Sequence, residues 1–515
     1  IRKQVHIRII GDYDVDGVTS SHLFLTALRR VGAKVDVVIP HRIQDGYGLS
    51  LHLLQQAKED GVDTILTCDN GIAAIDEIAW AKAQKMTVLV TDHHAVPFEE
   101  HEGRRTEKKS LADAVVNPHQ QDCGYPYKEL CGAGVAWNVI RVLYENYDMD
   151  KREAEDLLDF VAMATVCDVM SLTGENRILV KEGLKRIRHT KNIGLQALMQ
   201  ACNVQPENIS AYHFGYVLGP CVNATGRLDT ARHALRLFET GQETEAEEIA
   251  RDLVDLNQER KELTLQGVEM AKKLCEEGGY ENDPVLVLFL PDVHESIAGL
   301  IAGRIREMYN RPVFVLTRGE EGVKGSGRST ENYSMYENMC GCAELFTKFG
   351  GHPMAAGLSL PEENVEKFRR KINENCPLTV EEVCPDIHID MAMPVGYAST
   401  ELVHQFALLE PFGKDNPSPL FADRNLSISR MWVIGKNRNV LRMSVLSEYG
   451  QPVPVIFFGD VETLFAYFTE KFGQKEVENA LHGRKNRILF SMVYTAKIDF
   501  YQGNENLQLE MKYYR

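Results

Sequence analysis

A short apolar, β-branched run at residues 5–10 stops at Gly11-Asp12, and after Gly17 apolar residues recur at helical spacing as far as Val31. That change of period predicts a strand, a tight turn and a helix, the first half of a βαβ unit. Apolar runs of strand length follow at 35–39, 64–68, 87–91 and 114–117, separated by helical stretches such as 73–84. Strands alternating with helices predict a parallel sheet joined by right-handed crossovers. The stretch 99–110 is dense in charge and reads as a solvated loop, and 177–235 mixes helix and loop. From 231 to 277 apolar residues keep helical spacing among many Glu, Lys and Arg, with no Pro. One or two long helices are expected there. A coiled coil is disfavoured because the apolar positions hold no strict heptad. Residues 284–376 predict a second α/β domain, with strands at 285–290 and 312–317, a helix at 296–309, and Gly-rich turns at 325–329 and 350–352. Beyond 385 the pattern turns to short alternating strands at 427–434, 440–447, 452–458, 487–498 and 507–513, which suits a five-stranded OB barrel. The expected fold class is therefore α/β with a C-terminal β-barrel. The parts are a parallel-sheet domain (1–230), a connecting helix (231–280), a second α/β domain (281–378) and the barrel (385–515).

A chain of 515 residues is too long for one core, and roughly three domains fit it. The net charge of −17 argues against a general polyanion binder, so any nucleic-acid contact has to rest on a local basic track. No apolar run reaches the length of a membrane span, and no signal peptide is visible. The chain opens at Ile1, close upon its first strand, so a leading segment with any targeting signal is expected to be missing. The cysteines number 11, with no C-x-x-C pair, which reads as reduced thiols in a cytoplasmic protein. Cys68 and Cys167 each precede an Asp and read as small buried apolar residues.

The candidate chemistry lies where apolar runs end. Asp12, Asp14 and Asp16 alternate after the first run, Asp69 follows the third, Asp92-His93-His94 follow the fourth, and Asp168 follows the run 161–167. An isolated D-x-D-x-D reads equally well as an acidic surface turn. Four apolar segments ending on Asp or His read instead as a site at the carboxyl ends of parallel strands. Carboxylates with imidazole suit Mn²⁺, and an all-oxygen set would lean to Mg²⁺. The carboxylates suffice for two ions sharing one Asp, and such pairs serve phosphoryl hydrolysis. Elsewhere, Asn223 and Arg227 flank a glycine, and Ser326, Arg328, Gly351 and His352 lie in Gly-rich segments, near Arg304 on a predicted helix. These suit phosphate contact. Trp432, Lys436, Arg438 and Arg442 interleave an aromatic with cations as a single-strand platform requires, although Trp432 fits a core position equally well.

The motifs D-x-D-x-D-G at 12–17, C-D-N-G at 68–71, D-H-H at 92–94 and C-D-V-M at 167–170 resemble the series of the DHH phosphoesterase superfamily. G-G-H-P-M-A-A-G at 350–357 resembles the signature of its DHH-associated second domain, and L-E-P-F-G-K-D-N-P-S-P at 409–419 resembles the segment opening the OB domain of the bacterial RecJ family. Residues 42–48 and 223–227 resemble that family's R-x-x-x-G-Y-G and N-A-x-G-R segments. The resemblance implies a single-stranded-DNA-specific 5′-to-3′ exonuclease of DNA repair and recombination, releasing 5′-mononucleotides with two Mn²⁺ or Mg²⁺ ions. It implies metal ligation by Asp14, Asp16, Asp69 (bridging), His93 and Asp168. Asp12 would orient the ligands, and His94 would contact the scissile phosphate or its leaving oxygen. Asn223, Arg227, Arg304, Ser326, Arg328, Gly351, His352, Trp432, Lys436, Arg438 and Arg442 would bind substrate. Single-stranded DNA, a single-strand-binding protein and a helicase are the implied partners of a cytoplasmic monomer. One departure stands out: Ile10 occupies a position where many DHH enzymes carry His, which implies one metal less tightly held. The alternative is a DHH phosphodiesterase of short oligoribonucleotides or cyclic dinucleotides. A manganese pyrophosphatase and a non-catalytic DNA-binding scaffold are more distant readings.

Overall fold

The computed structural model describes residues 1–42, 45–46, 48–101, 104–280, 282–319, 322–379, 387–435, 439–501 and 504–515. The apolar runs form β1 (His6–Ile10), β2 (Lys34–Val38), β3 (Thr64–Cys68), β4 (Thr87–Thr91) and, after a hairpin of β5 (Phe98–His101) and β6 (Arg104–Glu107), β7 (Ala114–Val116). Apart from the hairpin they make one parallel sheet, ordered β2-β1-β3-β4-β7. The hairpin replaces the expected charged loop. Glu99 pairs with Thr106 and Glu100 with Arg105 across it, so no apolar alternation announces it.

Successive residues of a strand face opposite sides, and both sides of this sheet are covered. Ile7, Ile9, Leu66 and Cys68 enter one core with α1 (Val15–Arg30). Ile10, Ile65, Val88 and Val90 enter the other with α2 (Leu51–Glu59) and α3 (Ile75–Ala83). The first core is extended by α4 (Gly132–Asn146), α5 (Lys151–Glu155), α6 (Leu158–Cys167), α7 (Gly174–Ile187) and α8 (Ile193–Ala201). Residues 161–167 thus end a helix and not a strand. Phe160 to Ala164 are buried without a break, and a helix enclosed on all sides shows no polar period to tell it from a buried strand. Next α9 (Ala211–His213) runs through a π-helical turn (Phe214–Leu218) into α10 (Gly219–Leu228), so within the stretch expected to mix helix and loop Asn223 and Arg227 stand on a helix.

After α11 (Arg232–Glu239), the 35-residue α12 (Glu243–Glu277) spans about 52 Å at 1.5 Å per residue. Its first half gives Ala246, Ile249, Ala250 and Leu253 to the first core, and its second half gives Val268, Ala271 and Cys275 to the next. That next domain has a sheet ordered β11-β12-β10-β9-β8, from β8 (Leu286–Phe289), β9 (Val313–Gly319), β10 (Gly322–Arg328), β11 (Lys348–Gly351) and β12 (Ala355–Leu360). It packs on α13 (Ala298–Tyr309) on one side and on α14 (Met335–Cys340) and α15 (Val365–Glu374) on the other. The glycines at 325–328 therefore belong to a strand and not to a turn. A Cβ on Gly325 would come 2.4 Å from Leu316, and one on Gly327 2.6 Å from Met335 Sδ, so glycine here permits close packing across the sheet.

Residues 1–386 form one compact unit and 387–515 a second. The second is a barrel of β13 (Met391–Ala392), β14 (Phe421–Ile434), β15 (Val440–Leu446), β16 (Pro452–Phe458), β17 (Leu489–Tyr501) and β18 (Asn504–Tyr514), closed by pairing of β14 with β17. It holds the five expected strands, the short β13 beside β14, and the helices α16 (Thr400–Phe406), α17 (Val461–Phe472) and α18 (Gln474–Leu481). No helix among the described residues is long and apolar enough to cross a membrane.

His22 of α1 is buried against Phe160 and Phe238, with ring centroids 4.5 and 5.9 Å away. Burial, with Arg29 nearby, pushes its pKa from 6.5 down to about 4. Between those values the unfolded chain binds a proton that the folded chain refuses. Stability from this group is whole above pH 6.5 and is lost as the pH falls towards 4, by about 3 kcal/mol. Asp159, which burial pushes up to about 6, works in the opposite sense over much of that range. Denaturant titrations of His22→Leu beside the unaltered chain isolate the histidine. Their stability difference should move towards the variant by about 3 kcal/mol across this range, and a difference independent of pH would refute it.

Candidate active site

Chain order reverses about β1, whose neighbours are β2 on one side and β3 on the other. The crevice at the carboxyl ends of such a pair is where open α/β sheets bind ligands. Asp12 follows β1, Asp69 follows β3 and His93 follows β4, all three buried. Asp14 caps α1, its Oδ1 accepting from Gly17 N at 3.1 Å. Asp16, in the first turn of α1, accepts from the amides of Gly132 at 2.6 Å and Ala133 at 2.7 Å. These are the first amides of α4, whose positive helix end offsets the carboxylate charge. Asp168 caps the end of α6.

His93 Nε2 lies 3.1 Å from Asp69 Oδ1, 3.5 Å from Asp168 Oδ2 and 3.7 Å from Asp16 Oδ2. Ligand atoms of Asp16, His93 and Asp168 all lie within 4.8 Å of one another, as do those of Asp12, Asp14 and Asp69, and those of Asp69, His93 and His94. Asp69 and His93 each belong to two of these sets. The site thus joins five carboxylates, two of them from the start of α1, with the imidazoles of His93 and His94. Burial, then mutual repulsion, pushes Asp12, Asp14 and Asp69 upward, most strongly Asp12 and Asp69. Two like charges 4 Å apart repel by about 4 kcal/mol even at an effective dielectric of 20. Asp12 Oδ1 and His93 Nε2 are buried without a hydrogen-bond partner among the described residues. Crowded carboxylates beside an imidazole nitrogen fit divalent cations. The backbone is strained at the same place, with Asp69 at φ +62° and Val169, next to Asp168, at +54°.

Asp92, which the sequence places in the D-H-H motif without a role, organises the end of β4. Its Oδ1 accepts from the amides of His93 at 2.7 Å and His94 at 3.1 Å and meets His94 Nδ1 at 2.7 Å, while Oδ2 accepts from Ile72 N at 2.9 Å. Burial disfavours a cation at His94, but the bond and charge of Asp92, with Asp168 and Asp16, outweigh it and hold the pKa up to about 9. Gly132 is a second residue with no sequence signal. A Cβ there would stand 2.6 Å from Asp69 Cβ, so only glycine lets the amides of α4 reach Asp16 behind Asp69.

A cleft of about 450 Å³ opens beside this cluster, lined by Tyr13, Arg42, Ser296, Ser326, Lys348 and Gly350 among others. Arg42 lies over the Tyr13 ring, 4.6 Å from its centroid. Asn223 Oδ1 accepts from Val15 N at 3.1 Å, pinning α10 to the start of α1, and Arg227 Nη1 donates to Ser296 O at 2.5 Å. Arg328 Nη1 donates to Ser326 Oγ at 3.3 Å and Gly327 O at 2.7 Å. Burial, then Arg42, Arg260 and Arg328, brings Arg227 down to about 9, and burial with Arg42 and Arg306 lowers Arg328. Arginines that repel one another around an open cleft are arranged for an anion. Gly351 ends β11, and His352 stands exposed beyond it. Arg304 is elsewhere, an exposed side chain on α13 at 3.5 Å from Glu307. In the barrel, Trp432 and Arg442 face each other across β14 and β15, with Arg430 over the indole at 5.7 Å. Met431 beside Trp432 is fully buried whereas Trp432 is 37% exposed, which puts the indole on the outer face. Arg442 also meets Asp499 at 4.0 Å. Lys436 and Arg438 lie outside the described residues.

Fold and site together define a DHH-type protein: residues 6–165 match the DHH family, N-terminal domain, and 282–376 the DHHA1 domain. Residues 389–513 match the RecJ OB domain, and the single-stranded-DNA-specific exonuclease RecJ of Haemophilus influenzae is 33% identical over 531 residues, 99% of this chain and 88% of that protein. The chain belongs to the RecJ family. The RecJ of Bacillus subtilis is 33% identical over 455 residues, 88% of this chain, and the match spans only 56% of its own length. A crystal structure of RecJ in complex with Mn²⁺ from Thermus thermophilus has a TM-score of 0.80 at 26% identity, covering 100% of this chain and 69% of that one.

Proposed function

We propose that this chain is a single-stranded-DNA-specific exonuclease that works from the 5′ end and releases 5′-mononucleotides. The observation that carries the reading is the buried carboxylate–His93 cluster, with a cleft beside Tyr13 that Arg42, Lys324 and Lys348 line. Asp14, Asp16, Asp69, His93 and Asp168 would hold two Mn²⁺ or Mg²⁺ ions, with Asp69 between them and Asp12 orienting the set. When bound, such ions lower the pKa of a water and stabilise charge developing on a phosphate. The chain's own residues do the rest. Ser326, Arg328 and Arg227 would anchor a phosphate of the terminal nucleotide, with Gly351 and His352 at the edge of the same sheet. His94, its Nδ1 committed to Asp92, would present Nε2 to the scissile phosphate or its leaving oxygen. Asn223 keeps α10 against the start of α1 while the strand is held.

The barrel would bind the single strand through Trp432, Arg442, Lys436 and Arg438, stacking bases and following the backbone without choosing sequence. This favours a long single strand over the short oligoribonucleotides or cyclic dinucleotides of the alternative reading. Residues 1–230 would then cut, 231–280 connect, 281–378 anchor and 385–515 bind. An enzyme confined to single strands needs another activity to open duplexes, so a helicase and a single-strand-binding protein are the expected partners of a cytoplasmic monomer in repair and recombination. The test is digestion of 5′- and 3′-labelled single strands of DNA and RNA with Mn²⁺. A labelled mononucleotide released first from 5′-labelled DNA is expected. Release first from the 3′ label, or equal cutting of RNA, would overturn the polarity or the substrate.

A further inference from the structure

Tyr212 and Tyr216 are 62% and 71% exposed, and their rings stack with centroids 5.1 Å apart and planes 23° from parallel. They stand on the continuous helical run of α9, the π-helical turn and α10, whose opposite side buries Phe214 and Leu218. Cys167 Sγ donates to Phe214 O at 3.3 Å, which ties the widened turn to the end of α6, one residue before Asp168. Farther along the run, Asn223 reaches the start of α1 and Arg227 reaches Ser296 of the second domain. One helical run therefore carries an exposed aromatic pair, is tied to the Asp168 corner of the carboxylate cluster at Phe214 between the two tyrosines, and continues to the start of α1 and Ser296 of the cleft. From Tyr216 to Asn223 the helix advances about 10 Å, at 1.5 Å per residue.

We infer that Tyr212 and Tyr216 are a stacking platform for the bases on the 3′ side of the scissile bond. The inference rests on the nuclease reading above and adds the path of the uncut strand. If the terminal phosphate is held at Arg227 and Arg328 and the bond is cut at the carboxylates, the remaining strand leaves towards the tyrosines. Ten ångströms matches about three nucleotides at a stacked rise of 3.4 Å. Tyrosine pairs spaced by four residues also support a helix slightly, and a helix-only role is one outcome of the test.

The test follows release of the first 5′ nucleotide by the full chain with Mn²⁺, on an intact single strand and on one abasic at the third to fifth nucleotides. Three proteins are compared: the unaltered chain, Tyr212→Ala/Tyr216→Ala and Tyr212→Phe/Tyr216→Phe. For the unaltered chain the abasic strand should show about a tenfold lower kcat/KM, the scale of one or two base–aromatic contacts. The Ala pair should lower kcat/KM on the intact strand by a similar factor and no longer distinguish the two strands, while the Phe pair keeps the distinction. If the unaltered chain cuts both strands equally, or the Ala pair still distinguishes them, the platform is refuted and the nuclease reading stands. If the unaltered chain cuts neither strand, the nuclease reading fails and takes the platform with it.

Discussion

Asp69→Asn should stop hydrolysis and, without divalent metal, raise the melting temperature. Asn tolerates the left-handed backbone at this position, so the change removes charge and little else. Asp69 belongs to two of the three candidate ligand sets, and losing its charge weakens both. Charge stabilisation by a bound metal is several kcal/mol, so turnover should fall by about 10³-fold or more. The same carboxylate is buried and repelled by Asp16, Asp14, Asp168 and Asp12. Removing it relieves the folded state, and a rise of a few degrees is expected from about 1–2 kcal/mol. Adding Mn²⁺ should then stabilise the unaltered chain more than the variant. Thermal melts with chelator and with Mn²⁺, run beside a turnover assay, read both effects. Near-native turnover at saturating Mn²⁺, or a lower melting temperature in chelator, would contradict the assignment.

Gly132→Ala should cost about 10²-fold in turnover, although neither glycine nor alanine has a side chain that could ligate a metal. The added methyl would stand 2.6 Å from Asp69 Cβ and 3.0 Å from its Cα, contacts that no rotamer relieves. Either α4 retreats, and the two amide bonds to Asp16 lengthen, or Asp69 moves from His93. A displacement near 1 Å at a reacting centre is enough for that loss, and the overpacking should cost about 1–3 kcal/mol of stability. Gly134→Ala is the control. It lies on the same helix, and its Cβ would meet Leu130 at 3.3–3.4 Å and Cys131 Sγ at 3.8 Å, none of them a candidate ligand. Both variants improve helix propensity, so any difference between them reports the contact with Asp69. Turnover of Gly132→Ala within about threefold of the control, at equal Mn²⁺, would dismiss this steric account.

The clustering of the candidate ligands was legible because a parallel sheet turns a one-dimensional pattern, apolar run then Asp or His, into a common edge. Asp168 shared the pattern for a different reason: its apolar run is a helix buried all round, which in sequence looks like a strand. Barrel strands were legible through alternation, but alternation alone could not say which face of β14 was wet, so Trp432 needed Met431 beside it to be resolved. Glycine misled at Gly325 and Gly327. In sequence it signals a turn, whereas here it answers to Leu316 and Met335, neighbours that only the folded sheet supplies. Gly132 and Asp92 were silent for the same reason, since their work is done on residues distant along the chain or on amides that carry no letter. Arg42 appeared only as the first residue of the R-x-x-x-G-Y-G resemblance at 42–48, and its repulsion of Arg227 and Arg328 exists only once three elements meet.

The long helix α12 makes its own length a chemical variable. It is seated in the core behind the carboxylates at one end and in the core behind Ser326 and Arg328 at the other. An α-helix advances 1.5 Å and turns about 100° with each residue. Deleting one residue between those seats would swing the second domain's sheet through more than a right angle about the helix axis, although the axial shift is small. Two changes of a full turn, by contrast, would nearly restore the angle and leave an error of distance. The helix is thus a phase gauge, and the chain can vary almost any of its solvent-facing side chains more freely than it can vary their number.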